Sequence, residues 1–411
     1  MSISRSNPNF QRAALAPILL GIAVLCSGRA QAEQGDVIRP YVGFLVAHDD
    51  NLFHLNSPEQ GQQYLGSSSL ADTYRRMSAG VDIDKTVSQQ RVVASLNLNR
   101  TQFSHYRQLD YDGKDLSAKL LWHLGTHIDG TVGTSYAETL TPFAEFRTQE
   151  RNLRTQRHDF ADAGWRFHPS GRVRASVSRD RLDYALDSQR ANDRNLTAEE
   201  IGLDYLAADA NSVGVQLGHS TGAYRFTELI GPVAVANDYS QSEIKAKVDW
   251  MFSCKTRMQF LGGWVERKHQ AFTDRDYRGL NARLIGTLQA TGKIGLVGNL
   301  WHEIGAVDDL TASYSVNNGV SLDANYSATS KIQVSASGRL EQRSFSGTAA
   351  LPILQLSTRH SQYRYMSLGA TYLPTRNWQI TVIGYHDQDA SSNNVLSYHA
   401  NGLTMNARYE F

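Results

Sequence analysis

The spacing Gly218-His219-Ser220-Thr221-Gly222 is that of a nucleophile elbow, in which a serine on a sharp strand-to-helix turn attacks a carbonyl. That chemistry needs the turn and a second glycine-rich loop. Here Val213, Val215 and Leu217 instead run into the motif as an alternating strand. Ser220 and a histidine on an outer surface would suit lipid hydrolysis, while a polar strand end is the simpler reading. Asp82 with Asp84, or Asp308 with Asp309, could offer carboxylates to a metal; the first pair reads as a polar strand face and the second as a loop turn. Asp49-Asp50-Asn51 starts like a calcium loop but lacks the downstream Gly and Glu. The 13 histidines include no HExxH or Cys/His spacing fit for zinc. No catalytic residue, metal or cofactor is expected.

The elements that would position these residues follow from the rest of the chain. Arg5 and Arg12 precede an apolar run from Ala13 to Cys26, and Ala30-Gln31-Ala32 follows. That order predicts a cleaved secretory signal over residues 1–32, with the mature chain over 33–411. The apolar run is shorter than the ~20 residues a membrane helix needs. Removing the three arginines of residues 1–32 leaves 38 basic side chains against 40 acidic ones, a balance that points away from nucleic acid. Cys254 is then the only cysteine, so no internal disulfide can brace the exported chain. No Pro/Gly/Ser-rich linker divides it.

A unit of roughly 40 residues recurs, marked by short turns such as Phe167 to Val173, Leu206 to Val213, Met251 to Met258, Leu288 to Ile294, Tyr326 to Val334 and Tyr372 to Thr381. Two more lie near Lys85 to Gln89 and near Gly125 to Thr126. Between them fall longer polar loops over residues 48–70, 106–114, 137–152, 185–194, 222–238, 270–278, 306–310, 344–360 and 387–395. The runs between alternate with a period of two: Met77, Ala79, Val81 and Ile83 against Ser78, Gly80, Asp82 and Asp84. The chain ends Leu403 to Phe411 in the same way, with Leu403, Met405, Ala407, Tyr409 and Phe411 on one face. Short turns at one rim and long loops at the other predict an all-β transmembrane barrel of about 18 antiparallel strands, with periplasmic turns and extracellular loops.

Tryptophans separate this reading from a soluble β protein. Trp122, Trp165, Trp250 and Trp378 sit beside short turns on the apolar face, and Trp264 lies about nine residues beyond its turn, near the opposite boundary. The expected location is the outer membrane of a Gram-negative bacterium, in contact with its lipid. The closing strand is expected to engage the barrel-assembly machinery and to pair antiparallel with Tyr41 to Ala47. So many tilted strands enclose a lumen too wide for side chains to fill. Its predicted face carries Lys119, Arg174, Lys245, Lys247, Arg283, Arg339 and Arg408, interleaved with Asp82, Asp204, Glu243, Asp249, Asp323 and Glu341, and Tyr365 and Tyr385 add rings. Cations that pair with carboxylates, beside ring faces that cover sugar C–H surfaces, suit a polar carbohydrate. Any water-filled lumen is also polar.

Five segments carry a family resemblance: His48 to Leu55 (HDDNLFHL), Leu109 to Ala118, Phe143 to Thr155 (FAEFRTQERNLRT), Gln189 to Asn195 and Arg267 to Leu284. Together and in order they resemble the exosortase-associated, EpsL-like outer-membrane proteins of exopolysaccharide biosynthesis operons. The resemblance implies a barrel serving export of an extracellular polysaccharide, with periplasmic or inner-membrane export partners. It supplies no catalytic residue. A general porin-like channel for small solutes is the alternative expectation, and a barrel enzyme or a scaffold for surface polymer comes after it.

Overall fold

The computed structural model describes residues 37–207, 211–230, 233–270, 276–309, 312–346 and 359–411; the expected signal segment lies outside the described residues. Alternating side chains build long strands: β1 (Val37–Asp49), β2 (Asp72–Val87), β3 (Gln90–Phe103), β4 (Tyr111–Leu124), β5 (Ile128–Leu140), β6 (Leu153–His168), β7 (Gly171–Tyr184), β8 (Arg194–Leu206) and β9 (Ser212–Tyr224). A small hairpin, β10 (Glu228–Ile230) and β11 (Val233–Val235), stands in a loop. The series continues with β12 (Tyr239–Ser253), β13 (Thr256–His269), β14 (Tyr277–Gln289), β15 (Ile294–Asp309), β16 (Ala312–Ser327), β17 (Ile332–Ser346), β18 (Arg359–Tyr372), β19 (Trp378–Ser391) and β20 (Tyr398–Glu410). Apart from the small hairpin, these strands form one 18-stranded sheet.

Pairing of β1 with β20 closes the sheet into a barrel, with Tyr41 opposite Glu410 and Ala47 opposite Thr404. This is the antiparallel closure expected for the last strand. The Phe411 amide donates to the Pro40 carbonyl at 3.0 Å, and the Phe411 ring meets Tyr409 edge-on at 5.1 Å. Closure leaves no sheet edge to be satisfied in lipid.

Register then sorts the two faces. Outward positions carry Phe44, Met77, Leu98, Ile201, Leu217, Ile244, Leu322, Leu368 and Leu403, all large and exposed. A continuous apolar exterior on a closed sheet is stable only against hydrocarbon. Trp165, Trp264 and Trp378 face outward with them. Strands of 13 to 16 residues, at ~3.4 Å per residue and ~40° tilt, rise roughly 34–42 Å, more than the ~25 Å apolar band. Their loop-side ends therefore stand clear of the membrane.

The two rims differ. Turns at 88–89, 125–127, 169–170 and 254–255 are tight, and Ser88 and Gly125 take left-handed φ values of 57° and 62° to make them. At the other rim the first loop folds into an 8-residue helix, α1 (Pro58–Leu65), capped by Ser57, which accepts from the Gln60 amide, and ended by Gly66 at φ 66°. Between β15 and β16 the strands run to Asp309 and resume at Ala312, so the long loop expected over 306–310 is largely strand. Most of the loop expected over 344–360 lies outside the described residues.

Candidate functional site: the lumen wall and the narrowed mouth

Cross-strand register places Lys119, Arg174, Lys245, Lys247, Arg283, Arg339, Tyr365, Tyr385 and Arg408 on the inward parity. Most of the cations are engaged there. Arg174 pairs with Asp204 at 2.5 Å, Lys245 with Glu243 at 2.7 Å, Arg283 with Glu303 at 2.7 Å, and Arg408 with Asp82 at 2.5 Å and Glu410 at 3.0 Å. Lys119 is exposed and has no carboxylate within ion-pair distance among the described residues. The wall is a lattice of short-range ion pairs of both signs.

One sector is denser. Glu341 is buried and bridges Arg339 and Arg343, each at 2.5 Å, and it also accepts from the Trp301 indole N–H at 3.1 Å. The Arg339 guanidinium stands 5.0 Å from the Trp301 ring and Arg343 stands 5.0 Å from Tyr363. Trp301 faces Gly319 across the strands, and a Cβ at Gly319 would lie 2.0 Å from its ring. Only glycine lets the indole lie flat there. Tyr365 and Tyr385 stack at 6.3 Å, and the Tyr385 hydroxyl donates to Asp49 at 2.6 Å. Cation–π and charge-assisted contacts fix these side chains as a rigid, polar, ring-bearing surface.

Above this wall the mouth is narrowed by its own loops. Leu52, Phe53 and Leu55 of the first loop, Tyr106 and Leu109 of the second, and Phe143 of the third share one buried cluster with Phe103, Tyr111 and Leu140. Phe53 is fully buried and meets Tyr106 at 4.7 Å and Phe143 at 4.6 Å. Polar side chains pin the first loop to β20. The Asn51 amide donates to the carbonyls of Leu55 (2.7 Å) and His399 (2.8 Å), and Asp50 accepts from the Asn401 side chain at 2.8 Å. Asp49-Asp50-Asn51, the stretch that begins like a calcium loop, thus spends its oxygens on hydrogen bonds; among the described residues no group of three or more His, Cys, Asp or Glu could hold a metal.

The third loop reaches further. Arg147 donates to the carbonyls of Val395 (2.8 Å) and Leu396 (2.6 Å), in the turn between β19 and β20. Six strands separate those two loops around the barrel, roughly 30 Å of wall at ~4.8 Å per strand. The bond therefore ties the mouth across a chord. Beneath it, His54 stacks on Tyr398 at 4.2 Å with 4° between the rings, and Arg147 lies 5.7 Å from the Tyr398 ring. Burial, with Arg147 nearby, pushes the His54 imidazole down to about 3, so it is neutral.

A repeated device holds the other loops. Asp110, Asp193, Asp238 and Asp276, each one residue before a strand, accept the amides of Phe103, Tyr184, Tyr224 and His269, at 2.6 to 2.8 Å. Each carboxylate closes the hairpin end that it follows. Three of these aspartates fall in the segments quoted for the family resemblance, which gives those segments a structural task. The elbow motif dissolves: His219 faces outward, hydrogen-bonded to Ser242 at 3.2 Å, while Ser220 faces the lumen on the opposite parity.

Inward parity alone would have found Trp301 and Tyr363. Arg147 and Phe53 lie in two of the segments that carry the family resemblance, but no sequence pattern states their contacts, which join loops 40 to 250 residues apart.

No family model matches the chain, and no curated protein matches it. Solved structures similar to it include the outer membrane protein OpdK of Pseudomonas aeruginosa, at 11% identity over 91% of this chain and 99% of that one, with a TM-score of 0.49. OccK2 (OpdF) of the same organism, in complex with glucuronate, is 10% identical over 92% and 100%, with a TM-score of 0.48. The alcaligin receptor FauA of Bordetella pertussis is 11% identical over 90% and 76%, with a TM-score of 0.42. The fold described above rests on the chain's own strand pairing. With its closed sheet, apolar exterior and ion-paired lumen, the protein is an outer-membrane β-barrel of a Gram-negative bacterium.

Proposed function

We propose that the protein is a porin-like channel for small polar solutes, whose size limit is set by the loops tied across its mouth. The observation that carries this reading is the Arg147 strap onto Val395 and Leu396 above the buried Phe53 cluster. A polymer conduit would need that bore open. Below the strap, paired charges of both signs and the rings of Trp301, Tyr363, Tyr365 and Tyr385 offer weak, repeated contacts to hydroxylated or charged solutes, and weak contacts permit release.

The test is single-channel recording and proteoliposome swelling with sugars of increasing size. Small conductance with a sharp size cut-off is expected, and Arg147→Ala should raise both. Large, unselective conductance in the intact protein would overturn the narrowed mouth, and silence in both assays would overturn the channel.

The second reading, a part in exopolysaccharide secretion, is favoured by one observation. The segments at 48–55, 109–118 and 143–155 that carry the family resemblance meet in a single cluster at the mouth. In this reading the same loops swing aside for polymer, and Lys119, Arg174, Lys245, Lys247, Arg283, Arg339, Tyr365, Tyr385 and Arg408 contact it. Deleting the protein should trap polymer in the periplasm; undiminished secretion would remove this reading.

A further inference from the structure

The ladder between β14 and β15 is the shortest in the barrel. Eight residue pairs join the two strands, from Gln289 opposite Gly295 to Ala282 opposite His302. Gly286, Gly295 and Gly298 fall within it and bring no side chain to pack across the strands. Above His302 the strands part: Tyr277 to Asn281 keep their partners on β13 and have none on β15. The split starts eight residues above Gln289, a rise of roughly 21 Å at ~3.4 Å per residue and ~40° tilt. It is level with Trp264, whose cross-strand partner is Leu280. The free edge of β14 thus lies at the outer interface, where water reaches backbone groups.

Above the split, β15 passes to the lumen side of β14. The Asn281 side chain, on the inward parity, accepts from the Ile304 amide at 2.8 Å, so a side chain stands in where a ladder bond would be. Ile304 and Tyr314 have the parity that faces outward lower down, where Leu300 and Val320 are exposed. Here both are buried against Val265, an inward residue of β13, and the Tyr314 ring meets inward Tyr277 at 5.5 Å. The outer face of the β15–β16 arm therefore packs on the inner face of β13 and β14.

This tuck carries a penalty. Arg267, the ladder partner of Tyr277, is 4% exposed, lies 4.2 Å from the Tyr239 ring and donates through Nε to Gln241 at 3.0 Å. Its Nη1 has no acceptor among the described residues. A buried guanidinium left partly unsatisfied destabilises the state that buries it.

We propose that the upper β15–β16 arm is an inner gate opened by an anion. Tucked, as here, it narrows the lumen. Released, it continues the β14 ladder with Ile304 opposite Leu280, and Ile304 and Tyr314 turn outward like Leu300 below them. Release uncovers Arg267, and an anionic solute on its guanidinium holds the arm out, because that solute has affinity for the released state alone. The gate rests on the channel reading above, since it acts on a conducting lumen.

The test uses the full-length folded barrel in proteoliposomes, with Cys254→Ser removing the native thiol. In Val265→Cys/Tyr314→Cys, a short bifunctional methanethiosulfonate reagent should hold the arm tucked and lower the single-channel conductance in sulfate, and reduction should restore it. Unchanged conductance overturns the gate. In Ile304→Cys the thiol is covered while the arm is tucked. Its labelling by a membrane-impermeant maleimide should run roughly fivefold or more faster in millimolar sulfate than in chloride of equal ionic strength, and Arg267→Gln should abolish the difference. A rate indifferent to sulfate, or a response that survives Arg267→Gln, overturns the anion site. Labelling reads the arm without conduction, so a barrel that labels as expected and conducts nothing removes the channel reading alone.

Discussion

The two rims of this barrel are built from the same alternating strands and end in opposite ways. At the periplasmic rim, turns such as 88–89 and 125–127 connect neighbours and little else, and exposed rings such as Phe411 stand beside them. At the outer rim, three loops share a buried apolar cluster, one arginine crosses the mouth, and aspartates close successive hairpins. The barrel wall needs only local pairing to exist. The outer loops have a small core of their own, so they can shift as a unit on a wall that stays closed.

The sharpest way to break that contrast is Phe53→Ala. Phe53 is fully buried in the loop cluster, and its removal should cost the closed mouth about 3–5 kcal/mol while the barrel persists. Limited proteolysis should then cut within 50–70, with conductance raised and the heat-resistant migration of the barrel on gels unchanged. Loss of the barrel itself would show that the loops are part of its core.

Acid acts next. The His54 imidazole is held down to about 3 in the closed mouth, and an open loop would restore it to ~6.5. Between those values the open state binds more protons. Closure is therefore fully stable above pH ~6.5 and weakens as pH falls below it, by roughly 2 kcal/mol at pH 5. Conductance should rise on acidification in the wild type and lose that dependence in His54→Phe. A pH-independent wild type would remove His54 from the mechanism.

The smallest effect belongs to the other rim. Ser88 holds a left-handed φ of 57°, so Ser88→Gly should raise stability by under ~1 kcal/mol and leave conductance alone. A change in conductance would mean that the turns do more than connect.

Much of the fold was legible because its information is local. Alternation at Met77 to Ile83 and at Leu403 to Phe411, and turn residues at the strand ends, predict the strands. Their even count predicts the closure that Tyr41 and Glu410 make. The site was legible by halves. Inward parity placed all nine wall residues, yet it did not reveal that Arg174, Lys245, Arg283, Arg339 and Arg408 are matched by carboxylates one or two strands away or two residues along. That depends on register, which a single strand does not state. Ser220 and His219 illustrate the converse: neighbours in a motif, they point to opposite sides of a wall.

Period-two patterning and turn chemistry by themselves determined that this chain is a membrane barrel with a polar lumen, because each strand's two faces meet different solvents wherever it is placed. Tertiary structure alone decided how open that lumen is. The strap from Arg147 to Val395 and Leu396, the burial of Phe53 and the stacking of His54 on Tyr398 join residues up to 344 positions apart. Such contacts exist only once eighteen strands have closed and carried their loops over a common opening.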